Sequence, residues 1–97
     1  FDKKVHVIEE LDALIPRLRE INPEVIVVTG DHSTPSLMSG HSWHPLPSII
    51  HSELCRKDKT TEFGESQAIM GSVGQIPATA LMPLAMANAA KLLKFGA

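Results

Sequence analysis

Four side chains able to bind a metal ion lie within a single segment of fourteen residues. Asp31 and His32 are adjacent, His41 follows nine residues after His32, and His44 lies three residues further on. Carboxylate oxygens and imidazole nitrogens are usual protein ligands for zinc, manganese and iron. About half of all adjacent Asp-His pairs, however, only cap a helix or line a turn. The spacing by itself therefore leaves a metal site and a simple turn as two open interpretations.

A short apolar run places this segment in the fold. Residues 25–29 read Val-Ile-Val-Val-Thr, and four of the five are apolar and β-branched. Such a run predicts a strand buried on both faces of a parallel sheet. The strand should stop at Gly30, so that Asp31 and His32 leave its carboxyl end. Ligands bind at that end of the strands in open α/β sheets.

Two motifs carry a resemblance to a known family. They are Thr-Gly-Asp-His-Ser-Thr-Pro at residues 29–35 and His-Ser-Trp-His-Pro-Leu-Pro at residues 41–47. Together they resemble the cofactor-independent phosphoglycerate mutases of the archaeal type, within the alkaline phosphatase superfamily. The resemblance continues through Arg-Lys-Asp at 56–58, Phe-Gly-Glu at 63–65 and Lys-Phe-Gly-Ala at 94–97. It covers essentially the whole chain.

The resemblance implies a fold and an activity. The fold class is α/β, and residues 1–97 would form the C-terminal, incomplete part of an alkaline-phosphatase-like catalytic domain whose mostly parallel sheet is flanked by helices. The parent enzyme would interconvert 3-phosphoglycerate and 2-phosphoglycerate through a phosphoserine intermediate, a step of glycolysis in the cytoplasm. Two divalent metal ions (manganese, zinc, cobalt or magnesium) would bridge the transferred phosphoryl group and hold the serine nucleophile.

The matching positions receive roles from the same resemblance. Asp31 and His32 correspond to the ligands of the metal at the serine, and His41 to a ligand of the other metal. His44 is expected to contact substrate or support the metal ligands, because another branch of the family has asparagine there. Ser33 and Thr34 are expected to orient the loop. For Trp43, a loop residue, two placements are open, over the site or over apolar core, and the second is expected.

The chain departs from the family pattern in what it lacks. It contains neither the nucleophilic serine segment nor an Asp-x-x-Gly-His segment that would complete the metal sites. No catalytic nucleophile is therefore assigned to this chain, and the 97 residues alone are expected to be inactive. The expected partner is the remainder of a longer polypeptide. In its absence, exposed apolar faces are expected to cause self-association.

Two other classes of function remain open. One is a different metal-dependent phosphoryl-transfer enzyme of the same superfamily, such as a phosphatase or a phosphonate-ester mutase. The other is a non-catalytic metal-binding or interaction module. Tight metal binding by the 97 residues alone would favour the module, since two or three preformed ligands rarely bind tightly.

The bulk composition limits the partners and the compartment. The net charge is −2, which argues against nucleic acid and charged membrane surfaces as partners. The single cysteine, Cys55, excludes an internal disulfide and fits a reducing compartment. No apolar run approaches the roughly 18 residues of a membrane span. These properties predict a soluble cytoplasmic protein.

Periodicity and turn residues predict the remaining elements. An amphipathic helix should run from Asp2 to Ile21, with a kink or break at Pro16. A short strand should cover residues 47–52, with His51 on its surface or edge. Thr61 should cap a helix over residues 62–70 that Gly71 ends. A last helix should begin at residues 80–82 and carry Lys91 and Lys94 near an end closed by Gly96.

Overall fold

A computed structural model describes residues 1–92 of the chain. The elements in order are helix α1 (Asp2–Glu20), strand β1 (Ile26–Val28), strand β2 (Ile49–His51), helix α2 (Glu65–Ala68), a 3-10 turn (Ala78–Ala80) and helix α3 (Leu81–Asn88). Within this part of the chain, no helix is both long enough and apolar enough to cross a membrane.

Helix α1 is a single continuous helix of 19 residues. The predicted break at Pro16 is therefore absent: the proline lies inside the helix, where it removes one backbone hydrogen bond without ending the element. The helix ends as predicted near Ile21. Asn22 takes a left-handed conformation (φ 55°), and its N–H donates to the Arg19 carbonyl at 2.9 Å.

Strands β1 and β2 form a two-stranded antiparallel sheet. Ile26 pairs with His51 and Val28 pairs with Ile49. The predicted mostly parallel sheet is not confirmed, because the described connection folds straight back to β2 without the crossover that a parallel pair needs. The residues of β1 are half-buried rather than buried on both faces, since β1 has one described neighbour.

The end of β2 is joined to α3 through Ser52, a buried polar residue. Its hydroxyl accepts the backbone N–H groups of Leu54 at 3.1 Å and Cys55 at 3.0 Å. The same hydroxyl donates to the Asn88 side-chain oxygen at 3.4 Å, and the Asn88 amide donates to the Leu84 carbonyl. His51 is exposed on its strand, as predicted.

Helix α2 is shorter than predicted, covering only Glu65–Ala68. The expected cap at Thr61 is wrong, because the helix begins after Gly64 and has no side-chain cap. The backbone N–H of Thr61 instead donates to the Gln67 side chain at 3.2 Å. Gly71 lies three residues after the end of the helix, and its N–H donates to the Ala68 carbonyl at 3.0 Å. The expectation that Gly71 ends the helix in a left-handed conformation is wrong, because the glycine with positive φ in the described residues is Gly74.

Helix α3 begins where predicted but ends earlier, at Asn88. Ala90 takes the left-handed position (φ 57°), and the N–H groups of Ala90 and Lys91 donate to the carbonyls of Ala87 and Met86. This pair of bonds is a Schellman motif. Lys91 therefore lies beyond the helix and pairs with Glu24 at 3.0 Å. The predicted roles of Lys94 and Gly96 fall outside the described residues.

Residues 1–92 include no fully buried apolar side chain. The predicted apolar stripe of α1 is present in the sequence, yet Leu11 and Leu14 are 47% and 48% exposed and Val7 is 61% exposed. The apolar side chains of α1 are therefore left largely uncovered by the rest of the described chain.

Candidate metal site

The predicted site residues all lie in the loop between β1 and β2, and one backbone bridge folds that loop. The Ser42 N–H donates to the Ser33 carbonyl at 2.8 Å, forming an isolated antiparallel bridge. The bridge brings the segment after β1 beside the segment that begins at His41. Gly30 leaves room for the Leu46 side chain, to which a Cβ at this position would come within 3.3 Å. The loop thus has a defined fold.

Asp31 and His32 interact directly at the carboxyl end of β1. The His32 backbone N–H donates to Asp31 Oδ1 at 2.9 Å, and His32 Nδ1 lies 3.4 Å from Asp31 Oδ2. The backbone N–H of Asp31, followed by the His32 ring, holds the pKa of the Asp31 carboxyl below its ordinary value. The carboxylate is therefore ionised at neutral pH, as a metal ligand must be.

His41 lies against His32. The two ring centroids are 4.5 Å apart and the ring planes are inclined by 29°. His41 Nδ1 is 2.9 Å from the hydroxyl oxygen of Thr34. The fold thus brings Asp31, His32 and His41 into one cluster, with Thr34 at its edge.

His44 is held by its own neighbours in the loop. Its Nδ1 is 2.8 Å from the Ser42 hydroxyl, and its ring stacks on Trp43 with centroids 5.0 Å apart. Trp43 is 83% exposed, so the prediction that it covers core is wrong for the described part of the chain. Its partner is the His44 ring.

The cluster contains the kinds of donor atom that bind divalent cations, namely carboxylate oxygen and imidazole nitrogen. Ionised carboxylate and neutral imidazole bind zinc and manganese, and a ligating histidine usually engages its second nitrogen in a hydrogen bond, as His41 does here. No group of three His, Cys, Asp or Glu side chains within residues 1–92 is arranged to hold a metal ion. The cluster therefore offers ligands of the right chemistry without closing a coordination sphere.

Two residues near the site were not assigned from the sequence. The Lys4 ammonium group, in the first turn of α1, donates to the Thr34 carbonyl. Ser42 supplies the hydroxyl that contacts His44. The His-Ser-x-His spacing could have indicated Ser42, whereas nothing in the sequence relates Lys4 to a residue thirty positions away.

Comparison with protein families gives one match across most of the chain. Residues 1–88 match the family model described as the metalloenzyme superfamily. This range includes every predicted metal ligand.

Individual relatives cover the whole chain. It is 50% identical over 97 residues to a "Probable 2,3-bisphosphoglycerate-independent phosphoglycerate mutase" of Thermosipho africanus, and equally identical to one of Deinococcus radiodurans. In both comparisons the match covers 100% of this chain and 24% of the relative. The chain thus spans about a quarter of the length of these relatives.

A solved structure is similar as well. The PH0037 protein from Pyrococcus horikoshii matches with a TM-score of 0.71 and 41% sequence identity. The match covers 75% of this chain and 22% of that protein.

Proposed function

The chain belongs to the metalloenzyme superfamily, and from that premise we propose that it supplies part of the metal centre of a phosphoglycerate mutase. The names of relatives 45–50% identical over all 97 residues support this reaction. The parent polypeptide would interconvert 3-phosphoglycerate and 2-phosphoglycerate, a step of glycolysis that takes place in the cytoplasm.

One observation carries the proposal: the bridge between Ser33 and Ser42 brings three donors of the right chemistry together. Asp31 and His32 are adjacent in sequence, and only this loop fold makes His41, nine residues after His32, a neighbour of the pair. A divalent cation bound there would neutralise phosphoryl charge and lower the pKa of an attacking hydroxyl.

We assign different roles to the members of the cluster. Asp31 and His32 would bind one cation, because carboxylate and ring are already in contact. His41 would serve a second cation, with manganese, zinc, cobalt and magnesium as candidates. His44, whose Nδ1 is engaged by Ser42, would offer Nε2–H to a substrate oxygen.

The remaining parts of the site would come from the parent polypeptide. The cluster leaves coordination positions unfilled, and the proposed nucleophilic serine is not among the matched motifs. Ser33 forms the backbone bridge of the loop, and the Thr34 hydroxyl contacts His41. We therefore assign neither residue as the nucleophile. We therefore propose that the 97 residues alone do not turn over substrate.

The test is a phosphorus NMR assay of the gene product in its native length. With 3-phosphoglycerate and Mn²⁺ we expect the 2-phosphoglycerate signal to grow, to stop on chelation and to return when metal is restored. Asp31→Ala and His41→Ala should reduce turnover to background. Asp12→Ala and His6→Ala remove the same groups from the exposed surface of α1 and should leave turnover unchanged.

The same spectra separate the mutase from the related alternatives. A phosphatase would release inorganic phosphate instead of forming 2-phosphoglycerate. A binding module would leave the 3-phosphoglycerate signal unchanged. Turnover that survives both Asp31→Ala and His41→Ala would overturn the proposed metal centre.

A further inference from the structure

We infer that Thr34 is a positioning residue for His41. Its hydroxyl accepts a hydrogen bond from Nδ1–H of the ring, and this leaves Nε2 with the lone pair that a divalent cation requires. The inference rests on the proposed metal centre. It adds the residue that prepares one of the ligands of that centre.

Two histidines of the loop share one pattern, from which the inference starts. Each has Nδ1 within hydrogen-bond distance of a hydroxyl: His41 with Thr34 at 2.9 Å, and His44 with Ser42 at 2.8 Å. Each ring is thereby left with Nε2 for an outside ligand. A histidine that ligates a metal usually donates its other ring N–H to such a partner.

A hydroxyl both accepts and donates a hydrogen bond, so the contact with Thr34 is compatible with either tautomer of His41. Metal ligation through Nε2 requires the Nδ1–H form, in which Thr34 accepts and its own proton turns to solvent. Thr34 is exposed, which permits that rotation.

Thr34 is itself fixed from two sides, as a positioning residue must be. Its carbonyl accepts a hydrogen bond from the ammonium group of Lys4 on α1. The carbonyl of the preceding Ser33 accepts the N–H of Ser42, next to His41. The Thr34 hydroxyl is thus placed relative to His41 by backbone contacts that do not depend on its own side chain.

The test uses Thr34→Val, which keeps the shape of the side chain and removes the hydroxyl, and Thr34→Ser, which keeps the hydroxyl. In the native-length gene product we expect Thr34→Val to weaken Zn²⁺ binding about 10- to 100-fold, the usual effect of losing the partner of a metal ligand. Thr34→Ser should restore affinity to within about threefold. Equal Zn²⁺ affinity in wild type and Thr34→Val would overturn the inference.

Nitrogen-15 spectra of labelled histidine give a second readout in the metal-free protein. At one fixed pH, the tautomer balance of His41, whose signals are identified by their loss in His41→Gln, should lie further toward Nδ1–H in wild type and Thr34→Ser than in Thr34→Val. Ser42→Ala should change the His44 signals and leave those of His41 in place. The same tautomer balance in wild type and Thr34→Val would overturn the inference.

The two readouts separate this inference from the proposed function. A gene product that binds no Zn²⁺ but shows the expected change in His41 would refute the metal centre and support the positioning by Thr34. A gene product whose Zn²⁺ binding is unchanged by Thr34→Val would support the metal centre and refute the positioning.

Discussion

Two neighbouring groups keep the Asp31 carboxylate in its charged form. The backbone N–H of Asp31 and the His32 ring lower the pKa of the carboxyl, so that its charge is present well below neutral pH. The same contacts direct one oxygen to the His32 N–H and the other to the His32 ring. Removing the charge while keeping the shape should therefore affect metal binding more than loop structure.

Asp31→Asn tests this directly. The amide keeps an oxygen for the His32 N–H but loses the negative charge that attracts a cation. We expect the native-length gene product to bind Mn²⁺ at least about tenfold more weakly, measured by calorimetry. Asp12→Asn, on the exposed surface of α1, is the matched control. Equal weakening by both variants would point to net charge instead of ligation.

Asp58 gives a pH prediction away from the candidate site. Its carboxylate accepts the Thr60 hydroxyl and N–H on one oxygen and the Ser72 N–H on the other, joining two loops. The Thr60 hydroxyl is the main cause that lowers the pKa of Asp58 from 3.8 to about 2. Because the folded pKa is depressed, the stabilisation is present above pH 3.8 and is lost as the pH falls through about 2.

Carbon-13 titration of the side-chain carboxyl groups measures this value. We expect the Asp58 signal to titrate with a midpoint near pH 2 while the Ser72 amide loses protection in the same range. Asp58→Asn should abolish the pH dependence of the Ser72 amide. A midpoint near the ordinary 3.8 would show that the two loops are not joined in solution.

Among single residues, the sequence indicates the proposed ligands but not the side chains that contact them. Asp31, His32 and His41 belong to motifs whose residue types already indicate metal chemistry. The contact of Thr34 with His41 exists only because the Ser33–Ser42 bridge folds the loop back. Spacing along a chain does not encode such a bridge, so the partners became visible only in three dimensions.

Among the elements, α3 ends in a way that a sequence pattern would not suggest. The left-handed position of its Schellman motif is occupied by Ala90, a residue with a Cβ, where glycine is usual. An L-residue in that conformation costs roughly 1–2 kcal/mol. Ala90 is exposed, so its methyl group gains little from packing.

Ala90→Gly should therefore stabilise the protein, by about 1 kcal/mol. Ala89→Gly is the matched control, because Ala89 has φ −90° and gains nothing from the freedom of glycine. We expect the control to be neutral or destabilising. Urea unfolding followed by circular dichroism measures both, and a loss of stability in Ala90→Gly would contradict the described end of α3.

The elements themselves were largely predictable, and their pairing was not. The apolar spacing in α1 and the β-branched run of β1 indicate their types from local sequence. The antiparallel pairing of β1 with β2 depends on the path of the twenty residues between them. Those residues contain no helix or strand from which the direction of β2 relative to β1 could be predicted. The short α2 likewise lacks the cap that Thr61 was expected to give.

For the molecule as a whole, the exposed stripe of α1 predicts association. Leu11 and Leu14 are about half exposed, and the described residues include no buried apolar core. Apolar surface left open in this way tends to pack against another surface. In the proposed parent, that surface would be the rest of the polypeptide.

We therefore expect the 97 residues produced alone to form concentration-dependent oligomers in sedimentation velocity runs. Replacing Leu11 and Leu14 by Gln should shift the distribution toward monomer. The matched control replaces Asp12 and Arg19, two exposed polar residues of the same helix, by Gln and should leave association unchanged. A monodisperse monomer at all concentrations would contradict the prediction.

The proposed metal centre also depends on more than this chain. The chain spans about a quarter of its relatives, and its cluster leaves coordination positions open. Asp31, His32 and His41 would thus be one side of a centre completed by residues elsewhere in the parent polypeptide.

Anomalous diffraction from crystals of the native-length gene product grown with Mn²⁺ tests that claim most directly. We expect anomalous peaks at coordination distance, roughly 2.0–2.3 Å, from donor atoms of Asp31 and His32 and, at a second peak, of His41. The claim would be contradicted if the manganese peaks lay elsewhere and the side chains of Asp31, His32 and His41 contacted only Thr34 and one another.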